Sequence, residues 1–454
     1  MRKYFGTDGI RRIANTELTP ELVYKVAKAG AYVLSKHTDH TPTILIGRDT
    51  RISGTLIESA MTAGFLSYGA NVKILGVIPT PGVAYLTKKL KADASVVISA
   101  SHNTYEFNGV KYFSNKGMKI PDDLEEEIEE IMDSGKLEEL TAVNDKIGVS
   151  EIRTDLLDEY VYFFRKNFEE EFENVDKSDF VVAVDTANGA TSVVAQKVFT
   201  ALGIKHYILN NTPNGVNINE NCGSTHLDVL KKYVIENKCN LGIAYDGDGD
   251  RCLAVDEKGN EIDGDKLLAV ISNYMKEKGT LKNNTLVATV MSNLGLSKYA
   301  EKNDINYEQT KVGDRYVLEK MLNEGYNIGG EQSGHIIMLD YNPTGDGILT
   351  SLMLIKILLE KSIPSSKLCD IIQIYPQVLI NSKVNSNKKY DYEKDEEIKF
   401  EIQKLEKEFS GNGRVLIRPS GTEPLVRVMI EGQDEKYIRT KAQNLAKLIE
   451  QKLN

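Results

Sequence analysis

The chain has 454 residues, a formal net charge of −10, four cysteines and no tryptophan. Its length predicts three or four domains at ~150 residues each, and an acidic balance without a basic stripe argues against nucleic acid as a partner. Cys222, Cys239, Cys252 and Cys369 show no Cys-x-x-Cys or zinc spacing, which fits a reducing cytosol better than a disulfide framework. The first residues carry no apolar signal region. The greasiest stretch, Ile348 to Leu359, is broken by Thr350, Ser351 and Lys356 and is too short to span a bilayer. The expectation is a soluble, cytoplasmic protein with no membrane partner.

An apolar strand, a small-residue turn, a helix and a second strand recur three times along the chain. The pairs are Ile44–Asp49 with Gly69–Leu75, Val181–Asp185 with Gly203–Leu209, and Leu286–Val290 with Ile305–Gln309. Each reads as a βαβ unit and so as parallel sheet covered by helices. In the first unit the strand Ala94–Ile98 runs into Ser99-Ala-Ser-His-Asn103, a polar cluster placed where α/β sheets bind ligands. A serine beside a histidine is a nucleophile with a base at hand; a cap or turn is the competing reading. The residues alone do not choose between Ser99 and Ser101. Asn108-Gly109 reads as a turn before a short strand, Val110–Phe113, that carries Lys111. That lysine is either a solvated strand residue or a cation assisting proton transfer. The acidic stretch Asp122–Glu139 and the segment to Ser150 read as the exit from a first domain.

The second unit contains the most telling run, Asp246-Gly-Asp-Gly-Asp-Arg251, between two short apolar segments. Three carboxylates separated only by glycine repel one another and are costly to bury unless a cation collects them. Oxygen ligands with short arms favour Mg²⁺, with room for water or a phosphate oxygen, and Arg251 suits a phosphate. A calcium EF-hand loop needs glycine at the sixth position, where Arg251 stands, and helical flanks that this segment lacks. An aspartyl-phosphate phosphatase would use Asp246 as nucleophile and Asp248 as acid/base. It resembles the haloacid-dehalogenase pattern, which wants Thr or Val at the position of Asp250, and stays the alternative.

Gly329 to His335 is a glycine-framed polar loop, in which Glu331 suits a pair of sugar hydroxyls. After Cys369 the pattern becomes α+β: strands near Gln377 and Val415, a charged helix Asp391–Phe409, a strand Leu425–Glu431 and a last helix from Glu435. Lys383–Lys394 reads as a surface loop. Arg418-Pro-Ser-Gly-Thr-Glu-Pro424, with Arg427 beyond it, offers guanidinium, hydroxyls and close backbone N–H groups to a phosphate. The expected domains are 1–150 with the serine loop, 151–254 with the metal loop, 255–369 with the sugar loop and 370–454 with the phosphate loop.

Five motifs in one order resemble the α-D-phosphohexomutase family from end to end: Phe5-Gly-Thr-Asp-Gly-Ile-Arg11, Ile98-Ser-Ala-Ser-His-Asn103, Asp246 to Arg251, Gly330 to His335 and Arg418 to Pro424. Asn217 to His226, Thr289 to Gly295 and Gly330 to His335 are similar to the bacterial branch that acts on glucosamine phosphates. The resemblance implies three related α/β domains and a smaller C-terminal α+β domain around a central cleft. It implies an isomerase, an intramolecular phosphotransferase that interconverts glucosamine 6-phosphate and glucosamine 1-phosphate on the way to UDP-N-acetylglucosamine. Phosphomannomutase or phosphoglucomutase activity of the same family, or a non-enzymatic metal-binding module on the fold, are the alternatives it leaves.

The resemblance further implies that Ser101 is the phosphoserine carrier and that Asp246, Asp248 and Asp250 hold one Mg²⁺ with a Ser101 phosphate oxygen. Arg11, His102 and Lys111 lie near the transferred phosphoryl group. Arg251, Asp314, Arg315, Glu331, Ser333 and His335 face the substrate, and Arg418, Ser420, Gly421, Thr422 and Arg427 bind its distal phosphate. The implied partner is a small phosphosugar, and a homodimer is compatible with the resemblance. Three positions depart from the family pattern: Thr104 for proline, Arg12 for glycine and Phe107 for an acidic residue. These put the geometry of the loops in question but remove no reacting group.

Overall fold

A computed structural model describes residues 3–6, 8–420 and 424–454. Among the described residues four sheets carry the chain. The first holds β1 (Ile10–Ile13), β2 (Thr43–Arg48), β3 (Asn71–Val77), β4 (Ala94–Ile98), β5 (Phe107–Ser114) and β6 (Ser150–Ile152), in the order β1-β5-β4-β2-β3-β6. The second holds β7 (Val181–Asp185), β8 (Lys205–Leu209), β9 (Leu241–Tyr245), β10 (Cys252–Asp256) and β11 (Glu261–Ile262), in the order β11-β10-β9-β7-β8. The third orders β12 (Thr285–Thr289), β13 (Asn306–Thr310), β14 (Ile328–Gly330) and β15 (Ile336–Met338) as β13-β12-β14-β15. The fourth is an antiparallel set of β16 (Gln377–Lys383), β17 (Gly413–Pro419) and β18 (Leu425–Gly432), with β18 in the middle.

The first three sheets repeat one plan. A central strand (β2, β7 or β12) pairs in parallel with the strand that follows its crossover (β3, β8 or β13) on one side. On the other side it pairs in parallel with β4, β9 or β14. That strand then turns back into an antiparallel partner, β5, β10 or β15. β4, β9 and β12 are buried along their whole length, as expected of mostly apolar strands covered on both faces. The three turns from parallel strand to antiparallel partner are residues 99–106, 246–251 and 331–335, so the sequence motifs occupy one structural position used three times.

Crossover helices begin and end where side chains and glycines cap them. Thr19 Oγ1 accepts Leu22 N at 3.3 Å and Pro20 opens the helix Pro20–Ser35, a position where its missing N–H costs nothing. Gly69, at φ +104°, closes the helix Gly54–Tyr68, a conformation that favours glycine.

Residues 1–290 and 306–370 cluster into one compact unit, and 291–305 with 371–454 into another. The second unit thus takes the helix Leu294–Lys302 away from its own strands. The reason is local. Asn293 Oδ1 accepts Gly295 N at 2.9 Å and Tyr375 N at 3.0 Å, while its Nδ2 donates to Tyr375 O at 2.9 Å. A Cβ on Gly295 would lie 2.0 Å from Gln373 O.

Two expectations need correction. Asn108 and Gly109 do not form a turn: they lie inside β5, paired with Arg12 and Arg11 of β1. A Cβ on Gly109 would sit 2.6 Å from Ser99 O and 2.7 Å from Ile10 O, so the glycine serves close strand approach. The charged helix starts at Glu396, not at Asp391, because Asp395 caps it by accepting Glu397 N and Ile398 N. Hydrogen bonding also carries the first sheet to Ile152 and the second to Ile262. The four cysteines are buried free thiols. Among the described residues no helix is long and apolar enough to cross a membrane.

Candidate active site

The serine loop leaves β4 with two serines in different roles. Ser99 Oγ donates to Asp49 Oδ2 at 2.6 Å and accepts Ser101 N at 2.9 Å, so it is used within the loop. Ser101 takes a left-handed backbone, φ +50°, and its Oγ donates to Asp246 Oδ2 at 2.7 Å. Left-handed geometry costs a non-glycine residue ~1–2 kcal/mol, and such strain persists only where surroundings over-determine it.

Arg51 and Asn219 supply that constraint. The buried guanidinium of Arg51 pairs with Asp49 at 2.8 Å and donates to Ser101 O at 2.9 Å, to Asn103 O at 2.8 Å and to Thr104 O. Asn219 Nδ2 donates to the same Ser101 and Asn103 carbonyls, each at 2.8 Å. A proline at 104 would stiffen the loop through its ring; Arg51 and Asn219 stiffen it through its carbonyl oxygens instead. Arg12 and Phe107 also find ordinary places: Arg12 donates to Lys3 O at 2.9 Å and Phe107 pairs with Ile13.

The aspartate loop faces Ser101 because its glycines allow it. A Cβ on Gly247 would lie 2.6 Å from Ser101 O, and Gly249 has φ +72° with Thr191 Cγ2 2.6 Å from where its Cβ would stand. Asp246, Asp248 and Asp250 offer carboxylate oxygens that lie within 4.8 Å of one another, and all three residues are at most 4% exposed. Oδ1 of Asp248 and Oδ1 of Asp250 are buried without a hydrogen-bond partner. Burial, with the charges of Asp250 and Asp248, pushes the Asp246 carboxyl well above the ordinary carboxylate range. Buried, repelling oxygens with unused lone pairs fit a hard divalent cation.

One ammonium offsets part of that charge. Lys111 Nζ lies 3.0 Å from Asp248 Oδ2, 3.2 Å from Asp8 Oδ2 and 3.7 Å from Asp250 Oδ2. Burial opposes its charge, but Asp248, Asp8 and Asp250 outweigh burial and raise its pKa, so Lys111 stands as a cation. Thr80 orients the same carboxylate: its Oγ1 donates to Asp248 Oδ2 at 2.8 Å and its N–H to Asp248 O at 2.9 Å.

His102 is not the base for Ser101 in this arrangement. Its Nδ1 lies 3.4 Å from Ser101 Oγ but accepts from Arg251 at 3.2 Å, and the serine proton points to Asp246. Burial and the charges of Arg251 and Arg11 lower the His102 pKa to about 4, so the ring is neutral near pH 7. Arg11 spans Asp8 Oδ2 at 2.8 Å and Asn103 Oδ1 at 3.0 Å.

The third loop adds Glu331, Ser333 and His335. Glu331 Oε1 accepts Gly313 N at 3.1 Å, and Ser333 Oγ is buried without a hydrogen-bond partner. His335 is buried between two carboxylates, Nδ1 at 3.6 Å from Asp250 Oδ2 and Nε2 at 3.5 Å from Asp314 Oδ2. Gly345 N lies 3.1 Å from Nε2; burial opposes charge on the ring, but Asp250 and Asp314 outweigh it and raise its pKa. Arg315 is engaged by Glu319 at 2.9 Å and by Asp122.

Four profiles of one family match this chain in succession: phosphoglucomutase/phosphomannomutase alpha/beta/alpha domain I over residues 2–139, domain II over 158–259, domain III over 263–375 and the C-terminal domain over 379–448. The chain belongs to the phosphoglucomutase/phosphomannomutase family. A protein named phosphoglucosamine mutase from Ruminiclostridium cellulolyticum is 52% identical over 454 residues, covering 100% of both chains. Among solved structures, a phosphoglucomutase/phosphomannomutase family protein from Burkholderia thailandensis matches with TM-score 0.81 at 21% identity, over 99% of this chain and 98% of its own. The N-acetylphosphoglucosamine mutase of Aspergillus fumigatus, solved with GlcNAc-6P and magnesium, matches with TM-score 0.71 at 16% identity, over 100% and 96%.

In this family member the segment that begins at Arg418 lies in the second unit. Arg418 and Arg427 are cross-strand partners on β17 and β18, so the two residues share one sheet face. Ser420 N donates to Leu425 O at 2.8 Å, and Lys389 Nζ donates to Ser420 O at 2.8 Å. Gly421 and Thr422 lie outside the described residues.

Sequence reasoning missed Asp8, Asp49, Arg51, Thr80, Lys119, Asn219 and Lys389. A signal for four of them was present: Asp8 and Asn219 lie in the motifs Phe5–Arg11 and Asn217–His226, and Asp49-Thr-Arg51 directly follows a strand's C-terminal end, where α/β sheets gather ligand-facing groups. Lys389 sat in a stretch read as surface loop. Arg51→Met should cost ~3–5 kcal/mol, because it leaves Asp49 buried without its cation. Asn219→Ala should cost only ~0.5–1.5 kcal/mol per lost hydrogen bond, since Arg51 still holds the same carbonyls. Urea unfolding followed by circular dichroism checks the difference, and equal costs would show that the carbonyl contacts, not the ion pair, fix the loop.

Proposed function

We propose that the protein interconverts glucosamine 6-phosphate and glucosamine 1-phosphate through a phosphorylated Ser101 and a bisphosphorylated sugar. The observation that carries this reading is the 2.7 Å contact of Ser101 Oγ with Asp246 Oδ2, inside a buried carboxylate triad, in a chain half-identical over its full length to a protein named for that reaction. Asp246, Asp248 and Asp250 would hold one Mg²⁺ together with a phosphate oxygen on Ser101. When bound, the ion supplies charge neutralisation for a loose, in-line phosphoryl transfer.

The remaining chemistry belongs to the chain. A free O1 or O6 hydroxyl of the sugar attacks the phosphorus, the Oγ–P bond breaks, and the proton given up by the hydroxyl balances the one regained by Ser101 Oγ beside Asp246. Lys111, a cation by virtue of Asp248, Asp8 and Asp250, draws negative charge developing on the transferred group. Arg11, His102 and Arg251 line the phosphoryl side. Glu331 and Ser333 read sugar hydroxyls, with His335, Asp314 and Arg315 framing that loop. Arg418, Ser420, Gly421, Thr422 and Arg427 take the phosphate that is not reacting. The bisphosphate turns end for end, and its other phosphoryl group returns to Ser101. An aspartyl-phosphate route through Asp246 is disfavoured by the seryl hydroxyl already seated on the attacking oxygen.

Intact-mass measurement should show a species one phosphate heavier, mapping to Ser101. Ser101→Ala should remove both the label and turnover, whereas Ser99→Ala should keep the label while costing ~1–3 kcal/mol of stability for the donor and acceptor it strands. A label that survives Ser101→Ala and disappears in Asp246→Asn makes the enzyme an aspartyl phosphatase.

Chelation should stop turnover and Mg²⁺ should restore it; Ca²⁺ should restore it poorly, because a larger ion with looser geometry holds the phosphate less well in line. Full recovery with Ca²⁺ would remove Mg²⁺ from this reading.

Glucose phosphates differ from glucosamine phosphates only at C2, so discrimination should be moderate, roughly 10–200-fold in kcat/KM. Glu331→Ala should lower kcat/KM for both sugars and leave their ratio nearly unchanged. Assays with glucosamine, glucose and mannose 1-phosphates decide it: a better rate with glucose or mannose would move the chain to another branch of its family.

A further inference from the structure

The charges around Asp8 reach a residue that no motif contains. Lys119 lies on the return after β5, bridged to Phe113, with Ile120 N donating to Tyr112 O at 3.2 Å. Its side chain is 14% exposed. Among the described residues its ion pairs are with Asp8 Oδ1 and, at 2.5 Å, with Asp314 Oδ2.

Each of those carboxylates roots an arm that ends on the aspartate loop. On one side, Asp8 Oδ2 meets Arg11 at 2.8 Å and Lys111 at 3.2 Å, and Lys111 stands 3.0 Å from Asp248 Oδ2. On the other, Asp314 Oδ2 is 3.5 Å from His335 Nε2, and His335 Nδ1 is 3.6 Å from Asp250 Oδ2. The arms come from different segments: Asp8 precedes β1, while Asp314 opens the helix Asp314–Glu324 of the third α/β region. Lys119 is where they meet.

We infer that Lys119 is a positioning residue for phosphoryl transfer, clamping Asp8 and Asp314 so that Lys111 and His335 are held against Asp248 and Asp250. The inference rests on the phosphoryl-transfer reading above. With its Oδ1 taken by Lys119, Asp8 can present only Oδ2 to Lys111 and Arg11, which fixes where the Lys111 ammonium stands. Without Lys119, Asp8 turns toward Arg11 and draws Lys111 from Asp248. Asp314 is then left beside His335 without its cation, and a half of a partly buried ion pair is costly to leave unmatched.

The test combines kinetics with a readout that needs no substrate. Lys119→Met should lower kcat roughly 10- to 100-fold, as loss of outer positioning groups does, with KM little changed. Lys119→Arg, which keeps charge and reach, should recover most of the rate. If Lys119 acts through Asp8, the loss in Lys119→Met/Asp8→Asn should be smaller than the product of the two single losses. In the resting protein, acylation of Lys111 by acetic anhydride, read by peptide mass, should rise in Lys119→Met and stay low in Lys119→Arg. If Lys119→Met does not fold, Lys119→Gln is read in the same way. Multiplicative losses, or Lys111 acylation equal to wild type, overturn the inference. A wild-type protein inactive on every hexose phosphate would defeat the functional reading instead, and the acylation result would still decide this one.

Discussion

Three carboxylates forced together out of water set the terms for everything near them. Asp246, Asp248 and Asp250 alternate with glycine, are almost fully buried and keep unpaired oxygens. Burial and the charges of Asp250 and Asp248 raise the proton affinity of Asp246, whereas Lys111 and His335 outweigh burial and hold Asp250 low. Among the described residues Lys111 is the ammonium placed against them, and it leaves a surplus of negative charge that a divalent cation fits. The glycines follow from the same constraint, because a Cβ at 247 would meet the carbonyl of Ser101 and one at 249 would meet Thr191 and Pro79.

The fold solves the placement problem by repetition. In each of three sheets the last parallel strand reverses into an antiparallel neighbour, and the reversal exposes a short polar loop at the sheet's C-terminal edge, where α/β proteins place their ligands. One loop carries the serine, one the aspartates, one the glutamate and histidine. Parallel strands buried on both faces make rigid platforms, so side chains on three separate loops can be held to within hydrogen-bond tolerance of one another. Ser101 to Asp246, His102 to Arg251 and His335 to Asp250 are among the contacts that join them.

Behind the reacting groups stands a layer whose task is to hold backbone and charge in place. Arg51 and Asn219 grip the carbonyls of the serine loop, and Thr80 fixes one oxygen of Asp248. Asp8 and Lys119 continue the alternation of charge outward. In the proposed reaction such groups would hold the reacting atoms in place, a contribution of orientation more than of new chemistry.

How much of this was legible in the sequence depends on how local the cause is. The three βαβ units could be read because apolar runs, small-residue turns and helical stretches are local patterns. The aspartate loop could be read as a candidate cation site because three aspartates spaced by glycine have no packing explanation, and the resemblance of five ordered motifs put Ser101 forward as the proposed carrier. The sequence alone could not separate Ser99 from Ser101, since both sit in one short polar cluster; only the fold turns Ser99 onto Asp49 and Ser101 onto Asp246. Asn108-Gly109 looked like a turn because those residues favour turns, but close approach of β1 and β4 makes that glycine part of a strand. Arg51, Asn219 and Lys119 act on residues about 50, 118 and 195 positions away along the chain. No local pattern encodes such pairings, because burial between distant segments, not propensity, decides which charge meets which carbonyl.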